Sequence, residues 1–94
     1  MKSTTYNLMK FLGNPDQITH LEAHKNYSNI YFSDGTSKLV AYNLKKFEDY
    51  LSNNLAFKRV HKSYIVNKNF ISKISEDGMR INLNNKIVIP VSYN

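Results

Sequence analysis

Phe57-Lys58-Arg59-Val60-His61-Lys62-Ser63-Tyr64-Ile65-Val66-Asn67 is the stretch from which the rest of the chain is read. It reads as a basic loop that runs into a strand. Phe57, Val60, Tyr64, Ile65 and Val66 are aromatic or branched apolar residues that can anchor it in a core. Lys58, Arg59, Lys62, Ser63 and Asn67 are the polar groups left to face a partner. Anchored backbone bearing cations and amides suits a rigid surface for a polyanion.

The charge of the whole chain agrees. Its formal charge is +6 over 94 residues, with a pI near 9.6. Between Tyr50 and Ser75 lie Lys58, Arg59, Lys62, Lys68 and Lys73 without a single acid, whereas the other eight cations face seven acids. A local excess of this kind points to a polyanionic partner. Nucleic acid fits better than a membrane surface, because no amphipathic helix accompanies the charge. No apolar run approaches the ~20 residues of a membrane span. The N-terminus lacks the apolar region of a signal peptide, so a cytoplasmic protein is the default. With no cysteine, a disulfide framework, a zinc ribbon and a thiol nucleophile are all excluded.

Length suits one domain over residues 1–94, and 41% hydrophobic residues suffice for a modest core. Residues 4–12 read as a poorly alternating first strand, Gly13-Asn14-Pro15-Asp16 as a turn, and residues 17–23 as a strand. Residues 24–27 read as a polar loop. Strands at 28–33 and 36–42 flank Asp34-Gly35, a two-residue hairpin turn. Residues 43–51 are the one convincing helix, with Asn43 as N-cap, an apolar stripe of Leu44, Phe47 and Leu51, and Asn53-Asn54 as a left-handed end. Further strands at 71–75, 79–83 and 86–92 are separated by turns at Asp77-Gly78 and Asn84-Asn85. Pro90 cannot donate to a ladder and marks a free edge. Many short strands with one short helix make a mostly-β fold.

Catalytic and metal chemistry find no support. His20 and His24 are four apart but lie in a strand-to-loop segment, with no acid or sulfur ligand at useful spacing. His61 reads as a hydrogen-bonded structural histidine. Glu48 and Asp49 share a helix face with Lys45 and Lys46 and read as surface charge. Three scattered glycines form no phosphate loop. The chain reads as a non-enzyme that needs no cofactor and no metal.

The opening stretch resembles the signature of the LytTR family of DNA-binding domains, F-x-R-x-H-x-S-[YF]-x-V-N, and every fixed position is present. Leu21-Glu22-Ala23-His24-Lys25-Asn26-Tyr27 is similar to its I-E-A-x-x-N-Y segment, and Ile89-Pro90-Val91-Ser92 to its closing I-P-V-S. The resemblance implies an elongated stack of small antiparallel β-sheets with a short α-helix between two of them. It implies sequence-specific binding of double-stranded DNA in transcription regulation, with loops reading major grooves. Members bind paired repeats as dimers and usually follow a receiver domain in a bacterial two-component response regulator. No receiver pattern is present in these 94 residues. The chain would be an effector domain excised from such a regulator or a stand-alone regulator, with a receiver domain or another protein as partner.

Carried onto this sequence, the resemblance assigns three contact regions. In the first, His24, Lys25 and Asn26 hold phosphates and Ser28 or Asn29 read base edges. In the second, Lys62 reads a base, with guanine O6 and N7 as natural acceptors, and Ser63 holds a phosphate. Lys58, Arg59 and Lys68 add phosphate attraction, unless Arg59 is tied up internally. In the third, Tyr93 reads a base where relatives carry an arginine, and Asn94 holds a phosphate. The family pattern continues into a short C-terminal helix, so the end is read as truncated. Two other readings stay open. A basic β surface bearing Tyr27, Tyr31 and Tyr64 could stack the bases of RNA or a single strand. The edge near Pro90 could instead dock a protein.

Overall fold

The computed structural model describes residues 4–92, with side-chain surroundings from Leu8 onward. Helix α1 (Thr4–Leu12) leads through a 3-10 turn (Pro15–Gln17) into β1 (Ile18–His24), β2 (Tyr27–Phe32) and β3 (Ser37–Val40). Helix α2 (Leu44–Tyr50) precedes β4 (Phe57–His61) and β5 (Tyr64–Asn67). A second 3-10 turn (Lys68–Phe70) leads to β6 (Ile71–Ile74), β7 (Arg80–Leu83) and β8 (Val88–Pro90). The strands form two antiparallel sheets, of order β3-β2-β1-β5-β4 and β6-β7-β8. The body is elongated, 47 × 30 × 24 Å, and the fold is mostly β as the sequence indicates.

Successive strand residues face opposite sides of a sheet, and β5 shows the consequence. Ile65 joins a core of Leu8, Leu12, Leu21, Ile30, Leu44, Phe47 and Leu51. Its neighbour Val66 joins a second core with Val60, Ile81, Leu83 and Ile89. Both helices therefore cover one face of the larger sheet, and the three-stranded sheet covers the other. The helix expected between two sheets lies on the outside of the stack, because its stripe packs on β1, β2 and β5. Phe47 is fully buried there, and truncating such a ring costs about 3–5 kcal/mol.

Several local expectations are corrected. Residues 4–12 are helix and not strand. Thr4, Thr5 and Tyr6 favour strands intrinsically, but Leu8 and Leu12, one turn apart and both buried, carry the segment onto the core. Gly13, at φ 61°, then ends α1 in the left-handed region. The polar loop at 24–27 shrinks to Lys25 and Asn26, because His24 and Tyr27 already pair. The basic loop at the start of the signature is strand β4, paired with β5 around a bulge between Arg59 and His61.

Turns also differ in detail. Phe32 and Thr36 close a three-residue loop, with Gly35 at φ 91° in its last position. Leu83 and Ile87 likewise close three residues, and the left-handed one is Lys86, φ 71°, rather than an asparagine. Ser75 and Arg80 bracket four residues that include Gly78. Asn43 caps α2 as expected, its side chain accepting from Lys46 N–H at 3.1 Å. The helix ends at Leu51 without a left-handed residue.

His20 is buried on β1, stacked on Tyr31 with ring centroids 4.4 Å apart. Burial lowers its pKa, partly opposed by the charge of Glu22. Its stabilising contribution is therefore complete above the ordinary value of 6.5. It is lost as pH falls below that value, because the unfolded chain takes up the proton first. Thermal unfolding is expected at a lower temperature at pH 5.5 than at pH 7.5. His20→Gln should remove most of that difference.

Candidate nucleic-acid interface

Two hairpins meet at one end of the larger sheet. β1 pairs with β5 through Glu22 and Tyr64, and one step further Ala23 N–H donates to Ser63 C=O at 2.8 Å. Continuing the register sets His24 beside Lys62, about 5 Å away across neighbouring strands. The tip of β1–β2, Lys25 and Asn26, and the tip of β4–β5, Lys62 and Ser63, thus lie side by side. A third segment joins them. Ser92, the last described residue, pairs with His61 and donates its N–H to Val60 C=O at 2.9 Å.

The signature residues hold the second tip from within. Arg59 donates through Nε to His61 C=O at 2.9 Å, through Nη2 to Lys62 C=O, and through Nη1 to Glu48 Oε1 at 2.7 Å. His61 Nδ1 accepts from Ser63 N–H at 3.0 Å, which closes the turn. Tyr64 packs edge-on to His61 and donates its hydroxyl to Glu22 Oε2 at 3.1 Å. Phe57 packs on the helix-side core and Val66 fills the other. Asn67 is buried; it donates to Ile18 C=O at 2.8 Å and accepts from Asn69 N–H at 2.9 Å. Lys62, one of the positions the motif leaves variable, is exposed at the tip.

Placed on this frame, the predicted contact residues separate. His24, Lys25, Asn26 and Lys62 are exposed together at the sheet end. Lys25 and Lys62 enter no ion pair among the described residues. Lys25 sits at φ 58°, a conformation that costs a side-chain-bearing residue about 1 kcal/mol. Ser63 is half-buried, with backbone N–H and C=O both engaged. Asn29 is half-buried within β2, opposite Glu22, three residues back from its hairpin tip. Lys58 is exposed on the edge strand opposite Val66. Lys68 lies past the far end of β5, five residue steps from Ser63, roughly 17 Å along the strand. Tyr93 and Asn94 lie outside the described residues.

Three assignments change. Ser28 is fully buried and donates to Tyr42 C=O at 2.8 Å; β2 alternation turns it into the core, where it can read no base. Arg59 points inward and is paired. Asn67, grouped by polarity with the partner-facing residues, is a buried structural amide. The tyrosine stacking platform also fails for two of its members. Tyr31 already stacks on His20, and Tyr31 and Tyr64 both give their hydroxyls to Glu22. Burial and the Glu22 charge raise the pKa of both phenols.

Glu22 and Glu48 were missed as site residues. The resemblance contained a signal for Glu22, since an acid fixed beside a DNA-contacting loop needs an internal partner. Glu48 carried none. Among the described residues, no group of His, Cys, Asp or Glu could hold a metal ion, and no helix is long and apolar enough to cross a membrane.

The family model of the LytTr DNA-binding domain matches residues 10–94. The chain belongs to the LytTR family. A solved structure described as the LytTr DNA-binding domain of a methyl-accepting/DNA response regulator from Bacillus cereus superposes with a TM-score of 0.71. It is 29% identical, over 82% of this chain and 72% of that one. A search of curated proteins returns no significant match. Membership in this family of DNA-binding domains makes DNA the partner of the domain.

Removing the buried hydroxyl separates frame from contact. Ser28→Ala is expected to lower stability by about 1 kcal/mol in denaturant unfolding. DNA affinity measured well below the melting temperature should not change.

Proposed function

We propose that this LytTR domain binds double-stranded DNA sequence-specifically to regulate transcription, reading base edges in the major groove with its paired hairpin tips. The observation that carries this reading is the meeting of two cation-bearing tips on a frame that leaves Lys62 exposed and without an ion pair. Their centres are two strand spacings apart, roughly 10 Å, within the ~12 Å width of the major groove. Lys62 supplies the base contact, and His24, Lys25, Asn26 and the Ser63 hydroxyl supply phosphate contacts. Asn29, half-buried beside the first tip, offers its amide to a base edge, while Lys58 and, from the opposite end of β5, Lys68 add long-range attraction. Tyr93 and Asn94, which follow Ser92 in the sequence, supply a further base contact and a further phosphate contact.

The Bacillus cereus relative is part of a response regulator. By analogy, this domain acts as the output of a bacterial two-component system, or as a stand-alone regulator, in the cytoplasm. It occupies paired repeats as a dimer, with a receiver or partner protein setting occupancy.

Selection of bound duplexes from a random-sequence pool at moderate salt is expected to return a repeat motif. Lys62→Ala should cost ~1–3 kcal/mol on the selected duplex and relax preference at one base pair. Full affinity with unchanged preference in that variant would contradict the assignment. Lys25→Gln should weaken all duplexes alike and flatten the salt dependence by about one unit. Equal competition by single strands would favour RNA or single-strand binding instead.

A further inference from the structure

We infer that Glu48, an acid outside the signature stretch, is a positioning residue for base reading by Lys62, acting through Arg59. The inference rests on the assignment of Lys62 above. Glu48 projects from α2, which Leu44, Phe47 and Leu51 fix to the larger sheet. Its Oε1 lies 2.7 Å from Arg59 Nη1, and both side chains are largely shielded, at 33% and 18% exposure. The other guanidinium nitrogens hold the carbonyls of His61 and Lys62. One planar fork thus connects the helix to the backbone at the reading residue.

The geometry calls for an anion at this place. Backbone carbonyls carry only partial charge, and an arginine beside a phosphate chain has a stronger acceptor available outside. Without Glu48, the guanidinium can leave the carbonyls and swing to a DNA phosphate. The β4–β5 tip then loses its internal brace, and Lys62 loses its fixed approach to a base edge. Such a release would raise general attraction to DNA while lowering discrimination. Loss of a carboxylate that served only as surface charge would not lower discrimination. Asp49 provides a comparison, since it is exposed and pairs along the helix with Lys45 at 3.2 Å.

The test compares the unmodified 94-residue chain with Glu48→Ala, Asp49→Ala and Lys62→Ala. Each is titrated with the selected duplex and a random-sequence duplex across a salt series, with melting temperatures taken alongside. For Glu48→Ala, random-duplex affinity at low salt is expected to rise and its salt dependence to steepen by about one unit. The ratio of selected to random affinity should fall roughly tenfold. Glu48→Gln, which keeps an acceptor oxygen, should recover part of that ratio, and Asp49→Ala should leave it intact. An unchanged ratio in Glu48→Ala would overturn the inference. So would a parallel loss of both affinities that followed the melting temperature. If Lys62→Ala narrows the ratio and Glu48→Ala does not, only the positioning role fails. If Lys62→Ala leaves the ratio intact, the base-reading assignment fails and the inference falls with it.

Discussion

From a largely shielded position, Arg59 donates to the carbonyls of His61 and Lys62 and to the Glu48 carboxylate. A two-residue turn at a sheet end has few backbone partners of its own, and an exposed hairpin frays readily. Here the turn is fixed by the guanidinium, by the His61 ring accepting from Ser63 N–H, and by the Ala23–Ser63 bond to the next strand. Each of these bonds is worth about 1 kcal/mol, and more where a charge takes part. Together they make the tip an extension of the sheet. Most fixed positions of the signature are therefore frame, and Lys62, one of its four variable positions, is what the frame displays.

The electrostatics follow the same division. Glu22 and Glu48 lie near the basic end, where uncompensated acids would repel a phosphate chain. Glu22 is taken up by the hydroxyls of Tyr31 and Tyr64, and Glu48 by Arg59. His24, Lys25 and Lys62 remain exposed. The excess of cations seen between Tyr50 and Ser75 is thus divided in space. Lys62 stands at the tip, Arg59 turns inward, and Lys68 sits at the opposite end of β5.

Features encoded by neighbouring residues were legible in the sequence. Asn43 and the Leu44, Phe47 and Leu51 stripe specify α2 locally. Gly35 and Gly78 mark hairpins because a positive φ suits glycine, although the loop lengths depended on the strands they join. Pro90 does stand on an edge strand. Features decided by distant partners were not legible. α1 is helical because Leu8 and Leu12 reach a core assembled by later segments, against the strand preference of Thr4, Thr5 and Tyr6. The β4 segment looked like loop because Lys58 and Arg59 are charged, yet an edge strand tolerates charge on its open side. Ser28 and Asn67 are polar and were placed outside. Their acceptors, Tyr42 C=O and Ile18 C=O, are 14 and 49 residues away. The family resemblance located the tips, but polarity could not sort frame from contact.

The most direct measurement is an amide and side-chain NMR footprint of the domain titrated with its selected duplex. The largest changes are expected to cluster at His24, Lys25, Asn26, Lys62 and Ser63, spreading to Ser92. Lys68, Lys73 and the β6–β7 hairpin should stay close to their free positions. A footprint centred on Lys68 and Lys73, or on the β3 edge with the tips unmoved, would contradict that expectation.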